Sequence, residues 1–418
     1  MSTKGITHSL NLPYLHFIYT LFILYYIIPI HSTPTISNYN VSIVLRDTVP
    51  NGSSLISRIN GTSPDFNYTF ATAWFIPPPS SLPTIPNTHA TTYTDGLIVR
   101  VVECNANHHS CAGVAHPEWT NAGALAIIGA NLNISSSVYP TTEIITLNNI
   151  SWVGTNPPPH GGTTALWGAA DPRISHSSNT GMYYLTWDNC TENCYPHRTT
   201  MLSTTNDPFN YSSWIFRGPL LGENPPYSAG ASLILRSTPP HYAFISNSDT
   251  ANIINLAVTN DINGYTGWTL NTTSTNPWMA GRPGMWDSSG VATGAQPELL
   301  STGDYLFIYN IDTGFPYHPS YLGRCSIGWA ILDGTDPSKI IARAAVPLLT
   351  PQLAWETCGG ESGKGPWPMC QEPEVVFSTG MKPLGNDRFL VLYGAADSYV
   401  GAVEIMVTFT EDGMDGKE

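Results

Sequence analysis

The sequence is poor in charge, and basic residues are scarcer than acidic ones. Only 11% of the 418 residues are charged, with 16 Lys and Arg against 30 Asp and Glu. The formal net charge is −14 and no basic cluster stands out, so nucleic acid is excluded as a natural partner. No segment carries a long apolar period of 3.6 residues, and the chain therefore lacks the signature of an extended amphipathic helix.

The sequence does contain many short apolar runs separated by turn residues. Hydrophobic residues reach 42%, which excludes general disorder, and 36 Gly and 35 Pro supply turns. The runs are rich in β-branched and aromatic residues, as strands are. They include Leu97–Val102, Met182–Trp187, His241–Ile245, Tyr305–Tyr309, Phe389–Tyr393 and Ala402–Val407. Their repetition predicts an all-β fold built from small sheets, as in a β-propeller.

The N-terminus reads as a targeting segment. Lys4 precedes an apolar run from Leu12 to Ile30, and small residues follow at Ser32. This order predicts a secretory signal over residues 1–32. An uncleaved type II anchor is the alternative, and only that alternative would give the protein a membrane partner.

Potential glycosylation sites support a secreted or secretory-lumen location. Nine Asn-x-Ser/Thr sequons occur, at Asn40, Asn51, Asn60, Asn67, Asn133, Asn149, Asn189, Asn210 and Asn271. We divide the chain into a glycosylated lead-in over 33–75, a propeller domain over 76–410 and an acidic tail over 411–418.

Seven cysteines fit the same compartment. Close spacing predicts three disulfides, Cys104–Cys111, Cys190–Cys194 and Cys358–Cys370, and leaves Cys325 as a buried thiol. Cys190 and Cys194 with His197 are the alternative ligands of a metal. No second ligand pair follows at zinc spacing, so we predict neither a metal nor another cofactor.

An ordered set of motifs occupies the last third of the chain. In order they are Gln296-Pro297-Glu298-Leu299-Leu300, Gly303-Asp304-Tyr305, Asp336-Pro337-Ser338-Lys339 and Tyr393-Gly394-Ala395-Ala396-Asp397, with Ala170-Asp171-Pro172-Arg173 upstream. Over roughly residues 90–405 the chain resembles glycoside hydrolase family 130, the mannoside phosphorylases and mannosidases. The resemblance implies five blades, an axial sugar pocket and a mannose-containing oligo- or polysaccharide as ligand.

Asp171 is the candidate catalytic acid. Pro172 keeps Asp171 out of helical geometry, which suits a carboxylate presented at a strand end. The resemblance implies that Asp171 protonates the glycosidic oxygen, although Ala170 replaces the glutamate that precedes it in the family. The alternative is a turn whose Asp caps local N–H groups.

Four further residues are candidates for substrate binding. The resemblance implies that Asp397 and Arg100 hold the sugar; the alternative for Arg100 is a surface charge at the end of a strand. Arg173 lies two residues after the candidate acid, and the alternative to its binding the sugar is an ion pair with Asp171. Tyr309 offers an aromatic face for a pyranose ring, although most propeller aromatics pack between blades.

The reaction type depends on whether water or phosphate displaces the leaving sugar when the glycosidic bond breaks. The segment from Tyr227 to Leu235 lacks the lysine that the resemblance associates with phosphate, which favours phosphate-independent hydrolysis. Hydrolysis with inversion needs a second carboxylate, and Glu223, Asp249, Asp287 and Glu298 are candidates. The alternatives are a glycan-binding propeller without catalysis and a phosphorylase whose phosphate site uses His197 and Arg198.

Overall fold

A computed structural model of the chain describes most of the strand-rich sequence. The described residues are 36–46, 66–75, 95–103, 124–130, 132, 169–189, 198–210, 213–222, 228–247, 252–273, 275–312, 325–354, 356–357, 374–396 and 399–411. Several predictions lie outside them: the signal over 1–32, all three disulfides, the sugar-binding Asp397, and the acids Glu223 and Asp249.

The described residues are all-β, as the alternating runs predict. They form twenty strands: β1 Ile36–Arg46, β2 Phe66–Phe75, β3 Asp95–Glu103, β4 Ala124–Ala130, β5 Ala169–Ser177, β6 Met182–Asn189, β7 Thr199–Thr205, β8 Ile215–Pro219, β9 Ala231–Ile234, β10 His241–Asn247, β11 Ile253–Thr259, β12 Thr269–Leu270, β13 Ala292–Thr293, β14 Glu298–Leu299, β15 Tyr305–Asp312, β16 Cys325–Leu332, β17 Ile340–Arg343, β18 Val376–Gly385, β19 Arg388–Ala395 and β20 Tyr399–Glu411. None of these residues forms a helix long and apolar enough to cross a membrane. Cys325 is buried at the start of β16.

The strands form antiparallel sheets in a propeller-like arrangement. The sheet orders are β2-β3-β4, β5-β6-β7-β8, β12-β11-β10-β9, β13-β15-β16-β17 with β14 also on β15, and β1-β20-β19-β18. Four of these sheets have the four or more strands of a complete blade. The β2–β4 sheet has three, because no strand is described between Ala130 and Ala169. The described residues thus give four complete blades, which corrects the expectation of five.

The chain divides into two compact units. The larger unit, Asn40–Thr408, contains the site described below. The smaller unit joins Met1–Tyr39 with Phe409–Glu418. Within its described part, the rings of Tyr39 and Phe409 lie 6.1 Å apart.

Hydrophobic clusters between successive sheets hold the larger unit together. Ile98 and Leu125, from β3 and β4, share one cluster with Ile174 of β5 and Leu185 of β6. Comparable clusters join the β5–β8 sheet to the β9–β12 sheet, and that sheet to the β13–β17 sheet. Sheets covered on both faces need near-continuous apolar strands, and all eight residues of β16 are buried.

Buried polar side chains also join the sheets. The hydroxyls of Ser232 on β9 and Thr293 on β13 lie 2.8 Å apart. Asn310 on β15 donates from Nδ2 to the carbonyls of Thr293 and Ser378, and its Oδ1 accepts the N–H of Ser378 on β18. These bonds fix the backbone around Thr293, on which the candidate site rests.

An ion pair joins the end of β1 to Glu356, which lies between β17 and β18. Arg46 on β1 contacts Glu356 at 2.6 Å and also donates to the Thr350 carbonyl. Glu356 is fully buried, and its other oxygen accepts the Tyr393 hydroxyl at 2.8 Å. A buried carboxylate is stable only when its oxygens are satisfied, so Arg46 is a structural residue.

Candidate functional site

Asp171 and Arg100 meet although they belong to different sheets. Nη1 of Arg100, on β3, lies 3.3 Å from Oδ1 of Asp171, on β5. The side chains are 9% and 14% exposed, so the pair is largely shielded but still reaches solvent. The structure therefore brings together the predicted acid and one predicted sugar-binding residue.

Asp171 has an unusual backbone conformation. The pairing of β5 with β6 shifts register between Ala170 and Arg173, which places Asp171 and Pro172 in a bulge. The φ of Asp171 is +48°, in the left-handed region that non-glycine residues rarely occupy. Such conformations persist only where the surroundings fix them, and they concentrate at functional sites.

Arg173 helps to hold the backbone of Asp171 in this conformation. Its guanidinium donates to the backbone carbonyls of Asp171 at 2.8 Å, Gly294 at 2.7 Å and Thr293 at 2.8 Å. Arg173 is buried, and burial lowers its pKa against the opposing charges of Asp188 and Asp171. Because these donors bind main-chain carbonyls, Arg173 supports the Asp171 backbone, whereas the sequence suggested contact with substrate.

Gly230 makes room for this arginine. Its φ is +75°, and a Cβ placed there would lie 2.1 Å from Nη1 of Arg173. Any side chain at position 230 would therefore displace the guanidinium that holds the Asp171 backbone.

Asp188 is a second carboxylate near Asp171, and the sequence analysis did not identify it. It pairs across the strands with Ala170, the neighbour of Asp171. Its side chain is fully buried, and Nη1 of Arg198 lies 3.9 Å away. One signal was available: Asp188 is the only acid in the apolar run of β6.

Tyr309 lies in a different cluster from Asp171. Its hydroxyl donates to Asp287 at 3.0 Å, and Arg343 packs 5.0 Å above its ring. Burial raises the pKa of Tyr309, and the ring is completely inaccessible to solvent. The described contacts give Tyr309 a packing role rather than a face for a sugar ring.

Two of the candidate catalytic bases are also held in structural contacts. Arg282 and Arg343 both pair with the buried Asp287, and their hydrogen bonds and charges lower its pKa despite its burial. Glu298 accepts a hydrogen bond from Gln296 at 3.3 Å, and burial raises its pKa to about 8. Neither acid has a described contact with Asp171.

The described residues contain no group of three or more potential metal-ligating His, Cys, Asp or Glu side chains. The chemistry visible in this part of the chain is that of carboxylates and arginines. Asp171 and Asp188 supply the acids, and Arg100, Arg173 and Arg198 surround them with positive charge. This set can donate a proton and bind hydroxyl or anionic groups.

A family model described as beta-1,4-mannooligosaccharide phosphorylase matches residues 158–412. Among curated proteins, the chain is similar to a beta-1,2-mannobiose phosphorylase of Thermoanaerobacter sp. (strain X514), with 33% identity over 127 residues. That match covers 30% of this chain and 35% of the relative, so the chain spans only about a third of the relative's length.

Two solved structures share the fold. One is a beta-1,2-mannobiose phosphorylase from Listeria innocua, with a TM-score of 0.57 and 16% identity. The other is described as belonging to a GH130 family of mannoside phosphorylases that contains glycoside hydrolases targeting beta-1,2 mannosidic linkages in Candida mannan, with a TM-score of 0.58 and 17% identity. Each similarity covers 87% of this chain and 96% of the other.

Proposed function

We propose, from the premise that the chain belongs to glycoside hydrolase family 130, that it hydrolyses β-mannosides without phosphate. The substrate is a mannose-containing oligo- or polysaccharide. Asp171 is the general acid that protonates the glycosidic oxygen, while Arg100 and Asp397 bind the sugar. Water is the group that replaces the leaving sugar.

The contact between Arg100 and Asp171 is the observation that carries this proposal. It joins two sheets at a position where the backbone of Asp171 is held in the left-handed region. A general acid must lie within hydrogen-bond reach of the leaving oxygen. An arginine beside it presents several N–H donors to sugar hydroxyls, and the partial exposure of both side chains leaves room for a ligand to approach.

The absence of basic side chains along one nearby segment favours water over phosphate. The described residues Ser228–Leu235 contain no Lys, Arg or His, and the four residues of β9 are buried. Ser232 on this strand already bonds Thr293 and Gly294. A phosphate dianion requires several positively charged donors to offset its loss of hydration.

Phosphorolysis is the second candidate, and Arg198 favours it. Arg198 lies just before β7 with its side chain 23% exposed, and its Nη1 is 3.9 Å from Asp188. The matching family model and the curated relative are both described as phosphorylases. In this alternative Arg198 binds the attacking phosphate. The third candidate, a glycan-binding propeller without catalysis, needs no acid at position 171.

Product analysis separates these functions. Purified protein is incubated with β-1,2- and β-1,4-mannobiose, with and without inorganic phosphate, and the products are separated by anion-exchange chromatography. Hydrolysis gives mannose at a rate independent of phosphate. Mannose 1-phosphate that increases with phosphate concentration refutes the hydrolytic proposal in favour of phosphorolysis.

Two matched substitutions test the acid. Asp171→Asn keeps the side-chain shape but cannot donate the proton, so turnover is lost while disaccharide binding by calorimetry remains. Asp207→Asn is the control, because Asp207 lies at the other end of this sheet and an asparagine still accepts the Phe209 N–H. Full activity of Asp171→Asn contradicts the assignment.

The location remains part of the proposal. We propose that the protein enters the secretory pathway, which the exposed sequon residues Asn40, Asn210 and Asn271 support because glycans require accessible asparagines. Expressed in eukaryotic cells, the protein should lose mass on treatment with an N-glycosidase. Unglycosylated protein in the cytosol would refute this location.

A further inference from the structure

Each of the two β13-side carbonyls that Arg173 binds is also bound by a second buried side chain. The Thr293 carbonyl accepts Nη2 of Arg173 at 2.8 Å and Nδ2 of Asn310 at 3.1 Å. The Gly294 carbonyl accepts Nε of Arg173 at 2.7 Å and Oγ of Ser232 at 2.9 Å. A carbonyl oxygen has two lone pairs, so both bonds form at once. The guanidinium is therefore held by acceptors that are themselves fixed.

Asn310, on β15, is anchored at the opposite end by β18. Its side-chain oxygen accepts the N–H of Ser378 at 2.8 Å, and Nδ2 also donates to the Ser378 carbonyl at 3.0 Å. The two hydrogens of Nδ2 thus serve the carbonyls of Thr293 and Ser378. Asn310 is completely buried. Its amide is planar, and a rotation would break these bonds together, so the side chain has one orientation.

Ser232, on β9, holds Thr293 and Gly294 from another sheet. Its hydroxyl lies 2.8 Å from the Thr293 hydroxyl and donates to the Gly294 carbonyl. Because a serine hydroxyl has only one hydrogen, Thr293 is the donor between the two hydroxyls. The Thr293 N–H donates to the Ser246 hydroxyl at 2.7 Å. The N–H, hydroxyl and carbonyl of Thr293 are therefore all bound.

The other end of the guanidinium reaches the candidate acid. Nη1 of Arg173 donates to the Asp171 carbonyl at 2.8 Å, and the φ of Asp171 is +48°. A non-glycine residue keeps such a φ only where its surroundings hold it. The backbone of Asp171 also sets the direction of its side chain. The position of the guanidinium therefore determines where the carboxyl group of Asp171 lies.

We infer that Asn310 and Ser232 are positioning residues for the general acid, acting through the two carbonyls and the guanidinium of Arg173. The inference rests on the proposed function of Asp171 and deepens it. Both side chains are completely buried, so neither is a substrate contact. A misplacement of about 1 Å at a catalytic group can lower the rate about 100-fold. The two residues should therefore matter for the protonation of the leaving group.

Two substrates with different leaving groups test this role. The sugar that leaves mannobiose must be protonated, whereas the dinitrophenolate of 2,4-dinitrophenyl β-mannoside is stable as an anion and leaves without a proton. Asn310→Ala and Ser232→Ala should each lower kcat on mannobiose at least about tenfold. Their kcat on the dinitrophenyl substrate, and KM for both substrates, should stay within about twofold of wild type. Phosphate is included in all assays, because the comparison holds for either nucleophile.

A conservative variant and a matched control complete the set. Asn310→Asp keeps the size of the side chain and an acceptor for the Ser378 N–H, but it loses the amide donor to Thr293. It should show the same selective loss on mannobiose. Asn255→Asp makes the same change at a buried asparagine of β11, whose oxygen accepts the Thr272 hydroxyl at 3.3 Å. This control should keep both rates.

The outcomes separate this inference from the proposed function. Asp171→Asn should itself lose turnover only on mannobiose. If it does, and Asn310→Ala and Ser232→Ala lose both substrates equally or neither, only the inference is refuted, because a structural defect reduces both rates alike. If Asp171→Asn loses both substrates equally, or the wild type cleaves neither, the proposed acid is wrong and the inference falls with it. If neither Asn310 variant folds, the result for Ser232→Ala decides.

Discussion

Replacing Asp188 with asparagine should change how the stability of the protein depends on pH. The pKa of Asp188 rises from 3.8 to about 7 in the folded protein because burial and Asp171 disfavour its charge. The folded state then binds more protons than the unfolded state between these pH values. The contribution of Asp188 to the free energy of unfolding is complete below pH 4, declines as the pH rises towards 7, and is absent above pH 7.

The size of the effect follows from the same values. Each pH unit corresponds to about 1.4 kcal/mol, so about 3 kcal/mol is lost between pH 5 and pH 8. The unfolding entropy of about 2 cal/mol/K per residue gives about 0.9 kcal/mol/K for 418 residues. The wild-type Tm should therefore fall by about 3 °C more than that of Asp188→Asn over this range.

Differential scanning calorimetry of both proteins at several pH values measures this difference. Contributions from groups that do not interact with Asp188, among them Glu298, are the same in both proteins and cancel on subtraction. Asp188→Asn should be the more stable protein at pH 8, because the wild type must then carry a buried charge without hydrogen bonds. Parallel Tm curves from pH 5 to pH 8 would refute the reasoning.

Three further substitutions test the roles assigned above. Arg46→Ala removes the cation that pairs with the buried Glu356, so the free energy of unfolding measured by urea titration should fall by about 3 kcal/mol. No change would show that the ion pair is dispensable. Gly230→Ala should reduce kcat at least about tenfold, since the new Cβ displaces the guanidinium behind the acid, and wild-type kcat would contradict that role. Tyr309→Phe removes the hydrogen bond to Asp287, so the free energy of unfolding should fall by about 1–2 kcal/mol. KM should stay within about twofold of the wild-type value. A large rise in KM for Tyr309→Phe would restore this residue to the sugar site.

The sequence predicts the strands well because their signal is local. The run from Tyr305 to Tyr309 alternates and is rich in aromatic residues, and it forms most of β15. The β2–β4 sheet shows where this signal ends, because the described residues supply only three of its strands. The residues after Ala130 contain few continuous apolar runs, and the count of complete blades could not be derived from periodicity.

The site residues were predictable only where a motif singled them out. Asp171 was predicted through the resemblance of Ala170-Asp171-Pro172-Arg173 to a family motif, and its contact with Arg100 fits the expected convergence of strand ends. The role of Arg173 depends on carbonyls about 120 residues away, which no local pattern encodes. Asp188 was overlooked because a single acid in a strand normally indicates an exposed position, and only the cross-strand register shows that it is buried.

The pairing of β1 with β20 determines when the last sheet can form. Arg46 of β1 and Glu356 are 310 residues apart in the chain, and β20 follows both of them as the last of the described strands. Until β20 has been synthesised, the edge of β1 that pairs with it exposes unpaired N–H and C=O groups. Such an edge can pair with strands of other chains. Contacts of such high sequence separation also slow folding. Removal of β20 should therefore leave β1 without its pairing partner. The truncated chains should aggregate rather than form a shorter folded domain.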